Sequence, residues 1–236
     1  KIQQFRHCVI RLECGDCLNI LPKFLDQNID LIITSPPYNL GDNHHTGNKR
    51  HKAYDDNSDE LEYQRQQLDF LNLCFDVLDK NGSIFYNHKN RIKKGKQITP
   101  YEWILKSNFI VKQEIVWINR SQNFDKIRFY PFTERVYWLA KDSKTKLYNA
   151  INHYDVFDWK EWKPVGTKGN HTRAFPEKMV EDILKCFPNA EVVLDPYMGS
   201  GTVGIVSKQL NKNFIGIEKD QQYFKMAKER IEGTLF

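Results

Sequence analysis

The chain has 236 residues, of which 40% are hydrophobic and 13% aromatic, so it is long enough to bury an α/β core. Its net charge of +5 is mildly basic and only slightly favours an anionic partner. No apolar run approaches the length that a membrane-spanning helix needs, and the first residues do not resemble a secretory leader. We therefore expect a cytoplasmic protein.

The cysteines and histidines give no sign of a metal centre. Five cysteines, an odd number, are typical of a reducing compartment rather than of a disulfide framework. Cys14 and Cys17 form a lone CxxC pair with no second pair at zinc spacing, so we interpret them as ordinary thiols. His44, His45 and His51 also match no ligand spacing, and we predict no metal site.

Strand-like and helix-like segments alternate along the chain. Short apolar or alternating runs predict strands at residues 8–14, 30–34, 83–88, 109–118, 134–140, 191–194 and 214–217. Helical spacing predicts helices at residues 18–25, 59–79, 99–107, 175–187, 201–210 and 220–231. Asn81-Gly82 predicts a turn, and residues 41–59, 119–132 and 141–170 predict loops. This alternation predicts a Rossmann-like α/β fold with a doubly wound, mostly parallel sheet.

The serine motif, Ser35-Pro36-Pro37-Tyr38, directly follows the apolar run at residues 30–33. Its two prolines end the predicted strand, because proline fixes its own φ and gives no N–H to a ladder. A hydroxyl, backbone carbonyls and an aromatic ring are thereby fixed at the carboxyl end of a strand, where open α/β sheets bind ligands. These groups suit a flat ring that carries an amino group, since oxygens accept from the NH2 and the tyrosine stacks on the ring.

The glycine loop, Asp195–Thr202, joins a predicted strand to a predicted helix. Its glycines let a ligand approach the backbone closely, and the helix that follows presents unpaired N–H groups. The next strand ends at Glu218, and an acid at that offset accepts from ribose hydroxyls in nucleotide sites. The absence of GxGxxG disfavours NAD, and the absence of GxxxxGK[ST] excludes a P-loop NTPase. A dinucleotide site and a plain Rossmann turn stay open at this point.

Together these residues resemble the DNA amino-methyltransferases, which methylate N6 of adenine or N4 of cytosine with S-adenosylmethionine. Asp195–Gly201 resembles the methionine-binding loop D-P-F-x-G-S-G, Glu218 the ribose-binding acid, and Ser35–Tyr38 the catalytic motif [DNS]-P-P-[YFW]. The catalytic motif comes before the cofactor loop, which is the order of the beta group. Glutamine methyltransferases of release factors share an N-P-P-Y motif but have the reverse order.

The resemblance covers nearly the whole chain and implies one class I methyltransferase domain, residues 1–236, with a small recognition insertion. Its catalytic half spans about residues 1–140, the target-recognition segment about 141–170 and the cofactor half about 171–236. Gly15–Leu18 and His171–Pro176 resemble two further family segments near the cofactor. The implied cofactor is S-adenosyl-L-methionine, and the residues expected to bind it are Asp16, Thr34, Phe175, Pro176, Asp195, Pro196, Tyr197, Gly199, Ser200, Gly201, Thr202 and Glu218.

The implied catalytic residues are Ser35, Pro36, Pro37 and Tyr38. An exocyclic amino group is a poor nucleophile because its lone pair is delocalised into the ring. We hypothesise that the Ser35 hydroxyl and the Pro36 carbonyl accept its N–H groups and localise the lone pair, while Tyr38 stacks on the base. The base must be flipped out of the duplex to reach them, and the cofactor supplies the electrophile without a metal.

Basic and aromatic segments near this motif predict contact with double-stranded DNA, although such segments are also typical of solvated surface. The expected DNA-binding residues are His44, His45, Lys49, Arg50, Lys89, Arg91, Lys93, Lys94, Asn119, Arg120 and Arg128.

The sequence leaves several alternatives open. Serine before Pro-Pro favours cytosine N4 in this family, but adenine N6 methylation needs the same acceptors. A catalytically inactive DNA-binding subunit of a restriction–modification system and an RNA or free-base methyltransferase are alternatives of other kinds. Proteins of this group are often homodimers, and a cognate restriction endonuclease is a further partner that the sequence leaves undecided.

Overall fold

The computed structural model of the protein describes residues 8–40, 57–120, 126–149, 154–158, 160, 162 and 175–234. The predicted DNA contacts His44, His45, Lys49 and Arg50 lie outside these ranges, as do His51 and residues 163–174. None of the helices within them has the length and apolar character needed to cross a membrane.

The strands are β1 (Ile10–Cys14), β2 (Ile29–Thr34), β3 (Leu78–His88), β4 (Arg91–Lys93), β5 (Lys96–Ile98), β6 (Ile110–Trp117), β7 (Glu134–Ala140), β8 (Val156–Phe157), β9 (Val192–Asp195) and β10 (Asn213–Glu218). The helices are α1 (Cys17–Ile20), α2 (Glu60–Val77), α3 (Tyr101–Ile104), α4 (Glu177–Cys186), α5 (Thr202–Gln209) and α6 (Gln221–Glu232). Eight strands form one sheet in the order β1-β10-β9-β2-β3-β7-β6-β8, and β4 and β5 form a separate hairpin, here called the basic hairpin.

The sheet is parallel from β1 to β3, and β7 is the antiparallel strand between β3 and β6. The predicted doubly wound, mostly parallel sheet is therefore confirmed. Its centre is the pair β9 and β2, from which the strand order runs outward in both directions. Ligands bind at the carboxyl ends of the strands beside such a switch point. Thr34 and Asp195 end these two strands.

Helices cover both faces of the sheet, because successive strand side chains point to opposite sides. On β2, Ile32 packs in a core with α2, whereas Leu31 and Ile33 pack in a second core with α4, α5 and α6. The predicted recognition segment contributes to this second core. Phe157 and Trp162 stack with ring centroids 3.6 Å apart, and the Trp162 indole N–H donates to Asp182 at 3.0 Å. These two aromatic residues are therefore core residues.

Three predicted boundaries differ from the structure. Residues 18–25 form α1 followed by a 3-10 turn at Leu21–Phe24, with Pro22 in its first positions. The helix predicted at 99–107 is limited to Tyr101–Ile104. The predicted Asn81-Gly82 turn lies within β3, where the ladder register jumps between Leu78 and Ser83. The Asp79 carboxylate accepts from the Asn81 N–H at 3.0 Å, so this stretch is a turn inserted as a bulge.

Arg91 joins the basic hairpin to the start of α2. Asp59 caps that helix, and Glu60 in its first turn accepts two hydrogen bonds from the Arg91 guanidinium at 2.7 and 2.8 Å. The guanidinium also lies over the rings of Tyr63 and Trp103, and Arg91 is only 3% exposed. Arg91 is thus buried against Glu60 in this structure, and its contact with DNA stays a prediction.

Replacement of Arg91 is expected to destabilise the fold, because it removes both short hydrogen bonds to Glu60 and the buried contacts with Tyr63 and Trp103. We predict that Arg91→Met lowers the free energy of unfolding by about 3 kcal/mol. The matched variant Lys94→Met, at an exposed residue of the same hairpin, is expected to have little effect. Urea denaturation of the two variants measures the difference, and equal stabilities would contradict a structural role for Arg91.

Candidate active site at the carboxyl ends of the central strands

A direct hydrogen bond joins the residue before the serine motif to the first residue of the glycine loop. The Thr34 hydroxyl donates to the Asp195 carboxylate at 2.8 Å, and the Tyr197 N–H donates to the same oxygen at 3.1 Å. Thr34 and Asp195 are both buried. At the amino ends of the same strands, the Asp30 carboxylate accepts from the N–H groups of Glu191 and Val192 at 2.8 and 2.9 Å. The two central strands are thus joined by side chains at both ends.

Burial raises the pKa of Asp195 to about 7. The hydrogen bonds from Thr34 and from the Tyr197 N–H oppose this shift, and the nearby Glu218 carboxylate adds to it. Asp195 therefore exchanges a proton near neutral pH, in contrast to an exposed aspartate.

The side chains of the serine motif form a network with two neighbouring strands. The Ser35 hydroxyl lies 2.8 Å from the Tyr38 hydroxyl and 3.2 Å from the Asn87 side-chain oxygen. The Tyr38 hydroxyl lies 2.7 Å from that oxygen and 3.0 Å from the Glu134 carboxylate, both of which are acceptors. Asn87 is the second-to-last residue of β3, and Glu134 is the first residue of β7. Because β7 runs antiparallel to β3, its first residue lies at the edge of the sheet where β3 ends.

The orientation of Asn87 fixes the direction of these bonds. Its side-chain N–H donates to the Arg135 carbonyl at 2.9 Å, so the amide oxygen faces Ser35 and Tyr38. The Ser35 hydrogen therefore has an acceptor within the network, either Asn87 or the Tyr38 oxygen. Its lone pairs stay available to a donor from outside, which is what acceptance from an amino group requires.

A second pair of side chains holds the backbone of the motif. The Tyr63 hydroxyl donates to the Pro37 carbonyl at 2.7 Å and lies 2.7 Å from Nε2 of His88. The N–H and the carbonyl of Lys89 lie 2.8 and 2.9 Å from Nδ1 of His88. Because the Tyr63 hydrogen goes to the Pro37 carbonyl, a hydrogen on Nε2 of His88 fits the contact with the Tyr63 oxygen. Burial lowers the pKa of His88 to about 3, which keeps it neutral. Since proline fixes φ, holding the Pro37 carbonyl also limits the direction of the Pro36 carbonyl.

The ring of Tyr38 faces the protein in this structure. It is 8% exposed and lies against the His88 imidazole, with centroids 4.7 Å apart and planes inclined by 39°. The structure thus shows Tyr38 as a hydrogen-bonding partner of Ser35. Stacking of Tyr38 on a base stays a prediction.

The glycine loop has the backbone conformation that its glycines allow. Gly199 and Gly201 have φ of 53° and 82°, in the left-handed region. A Cβ on Gly201 would lie 3.0 Å from the Cβ of Ala227 on α6, so this glycine also permits close packing. The Glu218 carboxylate accepts from the N–H groups of Gly199 and Asp220, each at 2.8 Å. The acid at the end of β10 therefore lies directly against the loop.

The other predicted cofactor residues lie around this loop. Asp16 caps α1 through the Leu18 N–H at 3.0 Å and pairs with Lys219, the residue after Glu218, at 3.0 Å. The half-buried Tyr197 ring packs on Phe70, with centroids 5.0 Å apart, and so points into the core. Pro176, Pro196, Ser200 and Thr202 are buried.

Arg230 connects the glycine loop to α4. Its guanidinium donates to the Ser200 carbonyl and lies 4.0 Å from Glu177, in the first turn of that helix. Phe175 and Pro176 directly precede Glu177, and Phe175 is packed against the core. The structure thereby brings the two distant cofactor segments to one edge of the sheet.

Five of the predicted DNA contacts follow strands that end at this same edge of the sheet. Lys89, Lys93 and Lys94 come after β3, and Asn119 and Arg120 come after β6. Lys93 lies 3.7 Å from Glu60, Arg120 lies 3.7 Å from Asp158, and Arg128 donates to the Gly95 carbonyl at 2.7 Å. Contact of these residues with DNA stays a prediction.

A model of the N6/N4 DNA methylase family matches residues 29–229. The chain belongs to this family. It is an S-adenosylmethionine-dependent DNA amino-methyltransferase with the motif order expected from the sequence.

Two relatives support the assignment. The type II methyltransferase M.HpaI of Haemophilus parainfluenzae is 29% identical over 251 residues, which cover 94% of this chain and 74% of the relative. The type II methyltransferase M.HinfI of Haemophilus influenzae is 28% identical over 258 residues, covering 98% of this chain and 69% of the relative.

Solved structures show the same fold. The cytosine-N4-specific PvuII DNA methyltransferase superposes with a TM-score of 0.77 at 21% identity, covering 94% of this chain and 86% of that one. The complex of M1.HpyAVI with S-adenosylmethionine superposes with a TM-score of 0.61 at 24% identity, covering 94% and 100%. The predicted class I methyltransferase type of fold is therefore confirmed.

Four residues of this methyltransferase's site escaped the sequence analysis: Tyr63, Asn87, His88 and Glu134. A signal existed for Asn87 and His88, since both come at the end of a strand predicted beside the serine motif. None existed for Tyr63, which lies within a helix, or for Glu134. Glu134 reaches the site only because β7 runs antiparallel, which an alternating apolar pattern does not reveal.

The raised pKa of Asp195 predicts a pH-dependent contribution to stability. When unfolded, Asp195 ionises near its ordinary pKa of 3.8, so between that value and about 7 the folded protein holds more protons. Its contribution to stability is therefore present below the lower pKa and is lost as pH rises through the upper one. We expect the difference in free energy of unfolding between the wild type and Asp195→Asn to fall across this range. Urea denaturation at a series of pH values measures it, and a pH-independent difference would refute the shift.

Proposed function

We propose that this methyltransferase transfers a methyl group from S-adenosylmethionine to the exocyclic amino group of a base flipped out of duplex DNA, with cytosine N4 as the target. The observation that carries the proposal is the Ser35 network, in which the hydroxyl hydrogen has internal acceptors. This network adjoins the glycine loop through the 2.8 Å bond between Thr34 and Asp195. The proximity of these two segments supports a reaction between an amino group held at one and a cofactor held at the other.

The residues present fit the cofactor at its two ends. The Glu218 carboxylate at the end of β10 suits ribose hydroxyls, which would replace its bonds to backbone N–H groups. Gly199 and Gly201 give the loop the left-handed backbone turns that its shape requires, and Gly199 adds no side chain where the methionine part would lie. Asp16, beside Lys219, is assigned to the adenine side. When bound, the cofactor supplies an electrophilic methyl group on sulfur.

The serine motif is assigned the methyl-accepting role. The Ser35 hydroxyl and the Pro36 carbonyl accept the two N–H groups of the target and draw its lone pair out of conjugation. Tyr63 and His88 hold the backbone that presents these acceptors. Rate enhancement then comes mainly from orientation of the nitrogen toward the methyl group, since direct attack needs little further chemistry.

The network also offers a route for the proton that the methylated nitrogen must lose. The methylated nitrogen gives its proton to Ser35 Oγ, and the Ser35 hydroxyl gives its original hydrogen to the Tyr38 oxygen, 2.8 Å away. Tyr38 in turn gives its hydrogen to the Glu134 carboxylate, 3.0 Å away. Glu134 thus provides the negative charge that the neutral Ser35 lacks.

Serine at the first position of the motif supports cytosine N4 over adenine N6, as the sequence resemblance implies. Both bases present an amino group to the same acceptors, so the local geometry is compatible with either. A homodimer and a cognate restriction endonuclease stay predictions of the resemblance, which sedimentation of the purified chain and cleavage assays on unmodified DNA test.

Methyl transfer from labelled cofactor to duplex DNA, followed by digestion and mass analysis of nucleosides, tests the proposal. We expect N4-methylcytosine from the wild type, and a Ser35→Ala variant about 100-fold slower because it loses an aligned acceptor. Ser107→Ala, at a serine just before the amino end of β6 and thus at the opposite edge of the sheet, is the matched control and should retain wild-type activity.

Each outcome has a distinct meaning. N6-methyladenine would overturn the choice of base but not the reaction. Near-normal activity of Ser35→Ala would overturn the role of the serine motif. Labelling of RNA in preference to duplex DNA would overturn the substrate.

A further inference from the structure

The segment at residues 126–133, here called the aromatic loop, exposes large apolar side chains. The side chain of Phe129 is fully exposed, and those of Ile127, Tyr130 and Phe132 are exposed to at least 45%. Four of the 13 exposed large hydrophobic residues in the described part of the chain therefore fall within six consecutive positions. Single exposed apolar residues are ordinary, but a contiguous group of them marks an interaction surface.

The aromatic loop lies at the rim of the methyl-accepting site. It precedes β7, whose first residue is Glu134, and the Glu134 carboxylate is 3.0 Å from the Tyr38 hydroxyl. Phe129 is five positions before Glu134, which limits the distance between their Cα atoms to about 17 Å even in a fully extended chain. Phe129 is thus close enough to the serine motif for one DNA duplex to contact both.

The surroundings of the loop are basic. Arg128 donates to the Gly95 carbonyl at 2.7 Å and so joins the aromatic loop to the turn of the basic hairpin. Lys94 and Lys96 flank that glycine and are exposed. Phosphates attract such side chains, whereas stacked bases offer flat apolar faces to aromatic rings. The combination fits a nucleic acid, whose outer surface is anionic and whose interior is a stack of rings.

We propose that Phe129 enters the base stack of duplex DNA beside the target and occupies the space that the flipped base leaves, while Lys94 and Lys96 contact the adjoining phosphates. This inference rests on the proposed function, since it assumes a base flipped into the serine motif. Flipping breaks stacking contacts, and an inserted ring replaces part of them and delays the return of the base. Phe129 is assigned this role because its ring is the most exposed of the group.

The test compares Phe129→Ala with the wild type on two duplexes that carry the methylation site mapped from the wild-type product. One duplex is fully paired, and the other has a mismatch opposite the target base, which lowers the cost of flipping. We expect the variant's kcat/KM to fall about 10- to 100-fold on the paired duplex, as for the loss of one stacking contact. On the mismatched duplex it should lie within about threefold of the wild type, because that base is already partly unstacked.

Two further variants complete the design. Phe129→Trp should retain activity on the paired duplex, since an indole also stacks. Leu25→Ala removes an exposed apolar side chain just before the amino end of β2, at the opposite edge of the sheet, and should behave as the wild type.

Wild-type rates for Phe129→Ala on the paired duplex, or equal losses on both duplexes, would overturn the inference. Wild-type methylation rates together with loss of adsorption to phosphatidylglycerol vesicles would assign the loop to a membrane surface and also overturn it. The absence of methyl transfer by the wild type to any DNA would instead overturn the proposed function on which the inference rests.

Discussion

The bond between the Thr34 hydroxyl and the Asp195 carboxylate is the contact on which the rest of the site depends. It joins the ends of β2 and β9, the two strands at the switch point of the sheet. The serine motif begins one residue after Thr34, and the glycine loop begins at Asp195 itself. The serine motif and the glycine loop, 160 positions apart in the chain, are therefore held side by side by the pairing of β2 with β9 and by this buried hydrogen bond beyond it. Asp30 fixes the opposite ends of the same strands.

The electrostatics of the serine motif follow from what surrounds it. Ser35 carries no charge, and His88 is held neutral by burial, which lowers its pKa to about 3. The nearest acid in the network is Glu134, which reaches Ser35 through the Tyr38 hydroxyl. The hydroxyl proposed to accept from the target is thus separated from the carboxylate proposed to take up a proton. An aspartate in place of Ser35 would combine both properties in one residue.

Much of this arrangement could be predicted from the sequence. The serine motif, the glycine loop and Glu218 each follow a strand-like run, and parallel strands present their carboxyl ends at one edge. Long-range packing was not predictable in the same way. Arg91 belongs to a basic segment, but Glu60 and two aromatic rings bury it. Tyr63 and Glu134 reach the site through a helix position and an antiparallel strand, and local sequence patterns carry no information on either.

The most direct test of the account is single-turnover methyl transfer by Thr34→Val, together with calorimetric measurement of cofactor affinity. The valine keeps the size of the side chain and removes the bond to Asp195. The account predicts a transfer rate reduced about tenfold or more through misalignment of the two halves, a larger loss than any change in cofactor affinity explains. An unchanged transfer rate, or a loss explained entirely by weaker cofactor binding, would contradict it.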